Sequence, residues 1–185
     1  MESIITPENL KSKKVKSKLP KEKQTVLNLY VTSKEAYDLW KNTPKKVKIL
    51  DVRTLDEYIY VGHAPMAWNI PAFLRTNLWD AEKQDFTYKL NSDFSSHVKE
   101  LFQPEDIILV TCRSGGRSAL AVNFMATLGY KNVYNITDGF EGDTVKDPES
   151  LYHGQRLKNG WKNSGLAWTY KMDIGLLRIS NEKET

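Results

Sequence analysis

Short apolar runs alternate with helical patterns along most of this chain. Val47-Lys-Ile-Leu-Asp-Val52, Asp106-Ile-Ile-Leu-Val-Thr111 and Asn132-Val-Tyr-Asn-Ile136 are rich in β-branched residues and bounded by turn residues, so each reads as a buried strand. Val26-Leu-Asn-Leu-Tyr-Val31 alternates apolar and polar positions and reads as another. Thr32 and Glu35 form a capping-box pattern, which predicts a helix with Ala36, Leu39 and Trp40 on one face. Thr54 and Glu57 repeat the pattern just after the second strand. Ser95 to Phe102 has Val98, Leu101 and Phe102 at helical spacing. Ser118 to Leu128 predicts a further helix, with Leu120, Phe124, Met125 and Leu128 on one face and Gly129 as its stop. Residues 62–71 hold a loop and a short strand, whereas 72–94 show no period that names an element. Strands alternating with helices predict an α/β fold with a mostly parallel sheet covered on both faces. Ligands in such folds bind beyond the carboxyl ends of the strands.

Charge changes this picture at one end only. The chain has 185 residues and a formal net charge of +4. Residues 1–24 hold seven Lys and three Glu, so they carry all of that excess. A Lys-rich segment poor in apolar residues builds no core, so 1–24 is expected to be a disordered leader whose removal costs little stability. With little aromatic interleaving, it suggests no nucleic-acid partner. No run approaches the ~18 apolar residues of a membrane span. No short apolar run follows the basic residues, which favours the cytoplasm and leaves the periplasm open only if a signal peptide has been removed.

The chemistry gathers at the one cysteine, which excludes disulfides within the chain and zinc sites built on several thiolates. His63, His97 and His153 share no metal-ligand spacing, so no metal or other cofactor is expected. In Ile107-Ile-Leu-Val-Thr-Cys-Arg-Ser-Gly-Gly-Arg-Ser118 a buried strand ends on Cys112, a loop with Gly115 and Gly116 follows, and a helix begins. Glycines let successive backbone N–H groups form a concave anion nest, and the helix N-terminus adds partial positive charge. Arg113 and Arg117 add full charges. Such surroundings favour thiolate over thiol. A lone cysteine is most often a small core residue, but core packing asks for no pair of Gly and pair of Arg beside it.

Three pieces, in order, resemble the rhodanese family. Leu50-Asp-Val-Arg53 with Glu57-Tyr58, Gly62-His63 and Asn69-Ile-Pro71 is similar to its first signature. Cys112-Arg-Ser-Gly-Gly-Arg-Ser118 is similar to its active-site loop, and Gly160-Trp-Lys-Asn-Ser-Gly-Leu-Ala-Trp168 to its closing element. The resemblance spans residues 25–170, leaving 171–185 as a C-terminal tail. Residues 141–160 look like an insertion, and Met66-Ala67 stands where the family usually has a small Gly-Ala pair. The resemblance implies a five-stranded parallel sheet with helices on both faces. It also implies a sulfurtransferase in which Cys112 takes sulfur from a donor such as thiosulfate and passes it, as a persulfide, to a thiophilic acceptor. The donor and acceptor would be small molecules or proteins. Arg113, Ser114, Gly115, Gly116, Arg117 and Ser118 would hold the sulfur and the donor, with Arg117 on the donor anion. Asp51, Arg53, Glu57, His63, Trp161 and Trp168 would be structural. Two other readings stand beside it. A thiol-dependent phosphatase or arsenate reductase uses a related Cys–Arg loop, usually longer than the four residues Arg113-Ser-Gly-Gly116 found here. A non-catalytic interaction module needs no cysteine.

Overall fold

In the computed structural model, which describes residues 19–178, the apolar runs become the middle of one parallel sheet. The strands are β1 (Tyr30–Val31), β2 (Val47–Asp51), β3 (Ala67–Asn69), β6 (Ile107–Thr111) and β7 (Val133–Ile136), in the order β1-β7-β6-β2-β3. All four pairings are parallel. Side chains alternate across the sheet because the strand period is two. Leu50, Ile108, Val110, Cys112 and Val133 face one core with α2 (Phe94–Leu101) and α3 (Gly116–Thr127). Val47, Ile49, Leu109, Tyr134 and Ile136 face the other, with Ala36 and Leu39 of α1 (Ser33–Asn42) and the fully buried Trp161. The fold is therefore the expected α/β layer arrangement. None of the helices among the described residues is long and apolar enough to cross a membrane.

Both capping boxes form. Thr32 caps α1 through the Glu35 N–H while Glu35 Oε2 accepts from Thr32 N at 2.8 Å. Thr54 and Glu57 make the same exchange before a π-helical segment, Glu57–Val61.

The structure departs from the sequence pattern at three places. The run 26–31 pairs only through Tyr30 and Val31, because Asn28 takes a left-handed φ of 53° and Thr25–Asn28 turns instead. Residues 72–94 contain an antiparallel hairpin, β4 (Phe73–Asp80) and β5 (Asp85–Leu90). In α3, Met125 is buried as expected, but Leu120 and Phe124 are exposed. Small Ala119 and Ala121, with Val122, take the buried face, which lets α3 approach the sheet closely.

Leader residues 1–18 lie outside the described residues. The last part of the expected leader, residues 19–24, packs on the domain. Lys21–Lys23 form a 3-10 turn, and Lys23 is 8% exposed, its ammonium 2.7 Å from Asp143 Oδ1. The Lys23 carbonyl accepts from Asn135 Nδ2 at 2.9 Å. A long Lys stem can be buried when its charge and backbone are both partnered, which net charge along the sequence does not reveal. Removal of residues 1–24 is therefore expected to lower unfolding free energy by about 1–3 kcal/mol relative to removal of 1–18. Urea denaturation of the two truncations measures this; equal midpoints would show that the Lys23 contacts contribute nothing.

Candidate functional site

Cys112 is the first residue beyond β6 and keeps the side-chain alternation of Ile108 and Val110, so its sulfur points toward α3. It is 1% exposed and free. Gly115 N donates to its Sγ at 3.2 Å, and Ser118 Oγ lies 3.4 Å away. Gly115 caps α3 with φ 99°, and a Cβ there would sit 2.4 Å from the Thr137 carbonyl oxygen. Ala119 N reaches Gly115 O at 3.3 Å, so the amides before it in that turn have no intrahelical acceptor. They surround the sulfur side of the loop with partial positive charge.

The turn after β7 supports the loop from behind. Phe140 N donates to Cys112 O at 2.7 Å, and Glu141 N to Arg113 O at 2.9 Å. Gly139 permits this approach: a Cβ there would lie 2.7 Å from the carbonyl oxygens of Cys112 and Arg113. Beyond it, residues 141–160 fold back on themselves through a neck at Gly142 and Gly160 and line a cleft of about 660 Å³ with Lys23, Ser114 and Gly116. Lys146, Arg156 and Lys158 stand on its walls. The Arg113 side chain is exposed. Burial first, and the Arg113 charge second, lower the Arg156 guanidinium from its ordinary value, which marks two cations sharing this edge.

Arg117 lies beside the loop, but its guanidinium is engaged. Its Nη1 and Nη2 donate to the two carboxylate oxygens of Glu57 at 2.7 and 2.5 Å, and Tyr88 of the hairpin lies under it at 5.6 Å. Burial pushes the Glu57 carboxyl up, but the Arg117 hydrogen bonds and charge, helped by Thr54 and Arg53, bring it down to about 2. The folded value thus lies below the ordinary 4.5. The pair's stabilisation is present above that ordinary value and is lost as pH falls toward the folded one. Denaturation of wild type and Glu57→Gln is expected to differ by roughly 1–3 kcal/mol at neutral pH. The gap should close between pH 4.5 and about 2; a gap independent of pH across that window would show that Glu57 ionisation is not its source.

The expected structural residues occupy structural places. Arg53 and Asp51 form a fully buried pair at 2.6 Å, Arg53 also donates to Gly62 O, and its guanidinium lies 4.2 Å from the Phe140 ring. His63 stacks on Tyr58 at 3.7 Å with Nδ1 3.0 Å from the Tyr58 carbonyl. Trp161 donates to Ala167 O, and Trp168 packs against Gly62. Lys23, Tyr88 and Asn135 also neighbour the loop, and the sequence pattern does not single them out. Asn135 left one signal: it is the polar member of the apolar strand Val133–Ile136, and it is fully buried.

Comparison with known proteins agrees with this geometry. Residues 33–144, more than half of the chain, match the model of the rhodanese-like domain. The chain is 34% identical over 143 residues to the uncharacterized protein RP600 homolog of Rickettsia rickettsii, an alignment covering 76% of this chain and 96% of that one. It is 39% identical over 93 residues to thiosulfate sulfurtransferase 18 of Arabidopsis thaliana, covering 49% of this chain and 62% of that one. The crystal structure of Rv0390 from M. tuberculosis superposes with a TM-score of 0.58 at 23% identity, covering 76% and 96% of the two chains, and shares the fold. With the parallel sheet, the loop at the end of its central strand and the matched segment in agreement, the chain belongs to the rhodanese-like domain family.

Proposed function

We propose that the protein is a sulfurtransferase that carries sulfane sulfur on Cys112. The observation that carries this reading is the Gly115 N–H 3.2 Å from Cys112 Sγ, at the N-terminus of α3. A backbone donor and a helix N-terminus aimed at the sulfur make a seat for the negative charge of a bound persulfide. The thiolate attacks the outer sulfur of a donor such as thiosulfate. A bond forms between the two sulfurs, the bond to the sulfonate sulfur breaks, and sulfite leaves with that electron pair. The persulfide anion rests among the amides of residues 113–118. A thiophilic acceptor such as cyanide or a thiolate then attacks the outer sulfur, and the electrons of the S–S bond return to Cys112.

Arg113, exposed beside the loop, is placed to meet an incoming donor anion. Arg117 adds a weaker attraction, since Glu57 neutralises it. Ser114, Gly115, Gly116 and Ser118 shape the cradle. The Arabidopsis thiosulfate sulfurtransferase 18 supports the same chemistry. Intact-mass spectrometry after incubation with thiosulfate tests it: the chain should gain one sulfur and lose it on adding cyanide. A chain that gains none from any sulfane donor and instead hydrolyses aryl phosphates overturns the reading.

A further inference from the structure

We propose that Asn135 is the positioning residue of the persulfide loop, acting on Cys112 through the Gly115 peptide; this rests on the sulfurtransferase reading. Asn135 lies in the middle of β7, on the same sheet face as Cys112 and 0% exposed. Its amide has three partners. Nδ2 donates to Gly115 O at 3.0 Å and to Lys23 O at 2.9 Å, while Oδ1 lies 2.6 Å from Ser118 Oγ. Both Nδ2 partners are carbonyls, so a flipped amide would set acceptor against acceptor twice. The orientation is therefore fixed by chemistry.

Two consequences reach the sulfur. Gly115 is held on both sides, its N–H by Cys112 Sγ and its C=O by Asn135 Nδ2 and Ala119 N. A glycine at φ 99° has little local preference of its own, so an external anchor decides where that N–H points. The second consequence concerns Ser118, whose hydroxyl has one proton. Asn135 Oδ1 carries no proton, so its 2.6 Å contact holds the Ser118 hydroxyl proton and leaves the 3.4 Å approach to Sγ the weaker one. With Ser118 turned to Asn135, the Gly115 N–H at 3.2 Å is the closer of the two donors beside the sulfur. Asn135 touches neither donor nor acceptor. Its effect belongs to the rate of attack and not to donor binding.

The test compares wild type with Asn135→Leu, and with Asn135→Ala, whose smaller side chain admits water and keeps the measurement possible if the Leu variant does not fold. Steady-state thiosulfate:cyanide transfer should lose about tenfold or more in kcat, the scale of one misplaced anion donor, at unchanged thiosulfate KM. Alkylation of Cys112 by iodoacetamide, which needs no sulfur donor, should slow in parallel. The same Asn135→Leu change made in a Ser118→Ala background should keep its effect, because the Gly115 arm is intact there. Unchanged kcat and alkylation in folded variants overturn the proposal, as does an effect that vanishes in the Ser118→Ala background. Where wild type takes up no sulfur at all, the sulfurtransferase reading fails, and alkylation alone decides the role of Asn135.

Discussion

Cys112→Ser is expected to lose all sulfur transfer while remaining folded. The chain has one cysteine, so no neighbouring thiol can carry residual turnover. A serine hydroxyl in the same place accepts the Gly115 N–H and fits a cavity shaped for a slightly larger atom. The change removes one favourable sulfur contact set and adds a hydroxyl that has a hydrogen-bond partner, so the melting temperature should move by only about 2–6 °C. Its chemistry, however, is gone: an alkoxide is not formed at neutral pH without a base, and among the described residues the recorded partners of the Cys112 sulfur are Gly115 N–H and the Ser118 hydroxyl. His63, a buried histidine, is turned to the Tyr58 carbonyl and stacked on its ring. Transfer from thiosulfate to cyanide, intact mass and circular dichroism are measured on one preparation. Turnover retained by a folded Cys112→Ser protein would sink the persulfide mechanism outright.

The loop was legible because its local chemistry and its place in the fold say the same thing. A strand that is apolar on both faces must be central, and Ile107–Thr111 lies between β2 and β7. The next residue must therefore emerge at the carboxyl edge of the sheet, where the helix that follows points its N-terminus. The hairpin was not legible, for a physical reason. Every residue of Phe73–Asp80 and Asp85–Leu90 is half-buried or exposed, so neither strand has a buried face to impose a period of two. The outward Leu120 and Phe124 misled in the opposite sense. They line a groove of about 420 Å³ with Ala72, Phe73, Leu90 and Phe94, contacts made by chain far away in sequence. Lys23 and Asn135 were hidden for the same cause. Each is polar, and each is buried because partners from two distant segments meet it: Asp143 and Asn135 for Lys23, Lys23 and the 115–118 segment for Asn135. Local pattern reports what a segment wants from water; it does not report which distant polar atoms will satisfy it.

Gly115→Ala joins these threads, because that one position carries backbone conformation, close packing and sulfur chemistry together. Its φ of 99° is strained for any residue with a Cβ, and the Cβ would lie 2.4 Å from the Thr137 carbonyl oxygen. Backbone cannot retreat as a flexible side chain can, and Thr137 is held by its own N–H to Val31 O at 2.9 Å. The loop must therefore shift, which loosens Gly115 from both Asn135 Nδ2 and Cys112 Sγ. Positive-φ strain and overpacking together should cost about 2–4 kcal/mol of stability. Loss of the aimed N–H should lower sulfur loading by about a hundredfold. Gly116→Ala is the control one residue further on: its Cβ would find only Glu22 O, at 3.8 Å, an ordinary contact. In that helical position Ala is also favoured over Gly. Urea denaturation should thus place Gly115→Ala below wild type and Gly116→Ala at or above it. Stopped-flow persulfide formation, run on the folded fraction, should fall only for Gly115→Ala by the larger factor. A Gly115→Ala protein as stable as wild type and loading sulfur at the same rate would show that neither the left-handed cap nor its N–H sets the site.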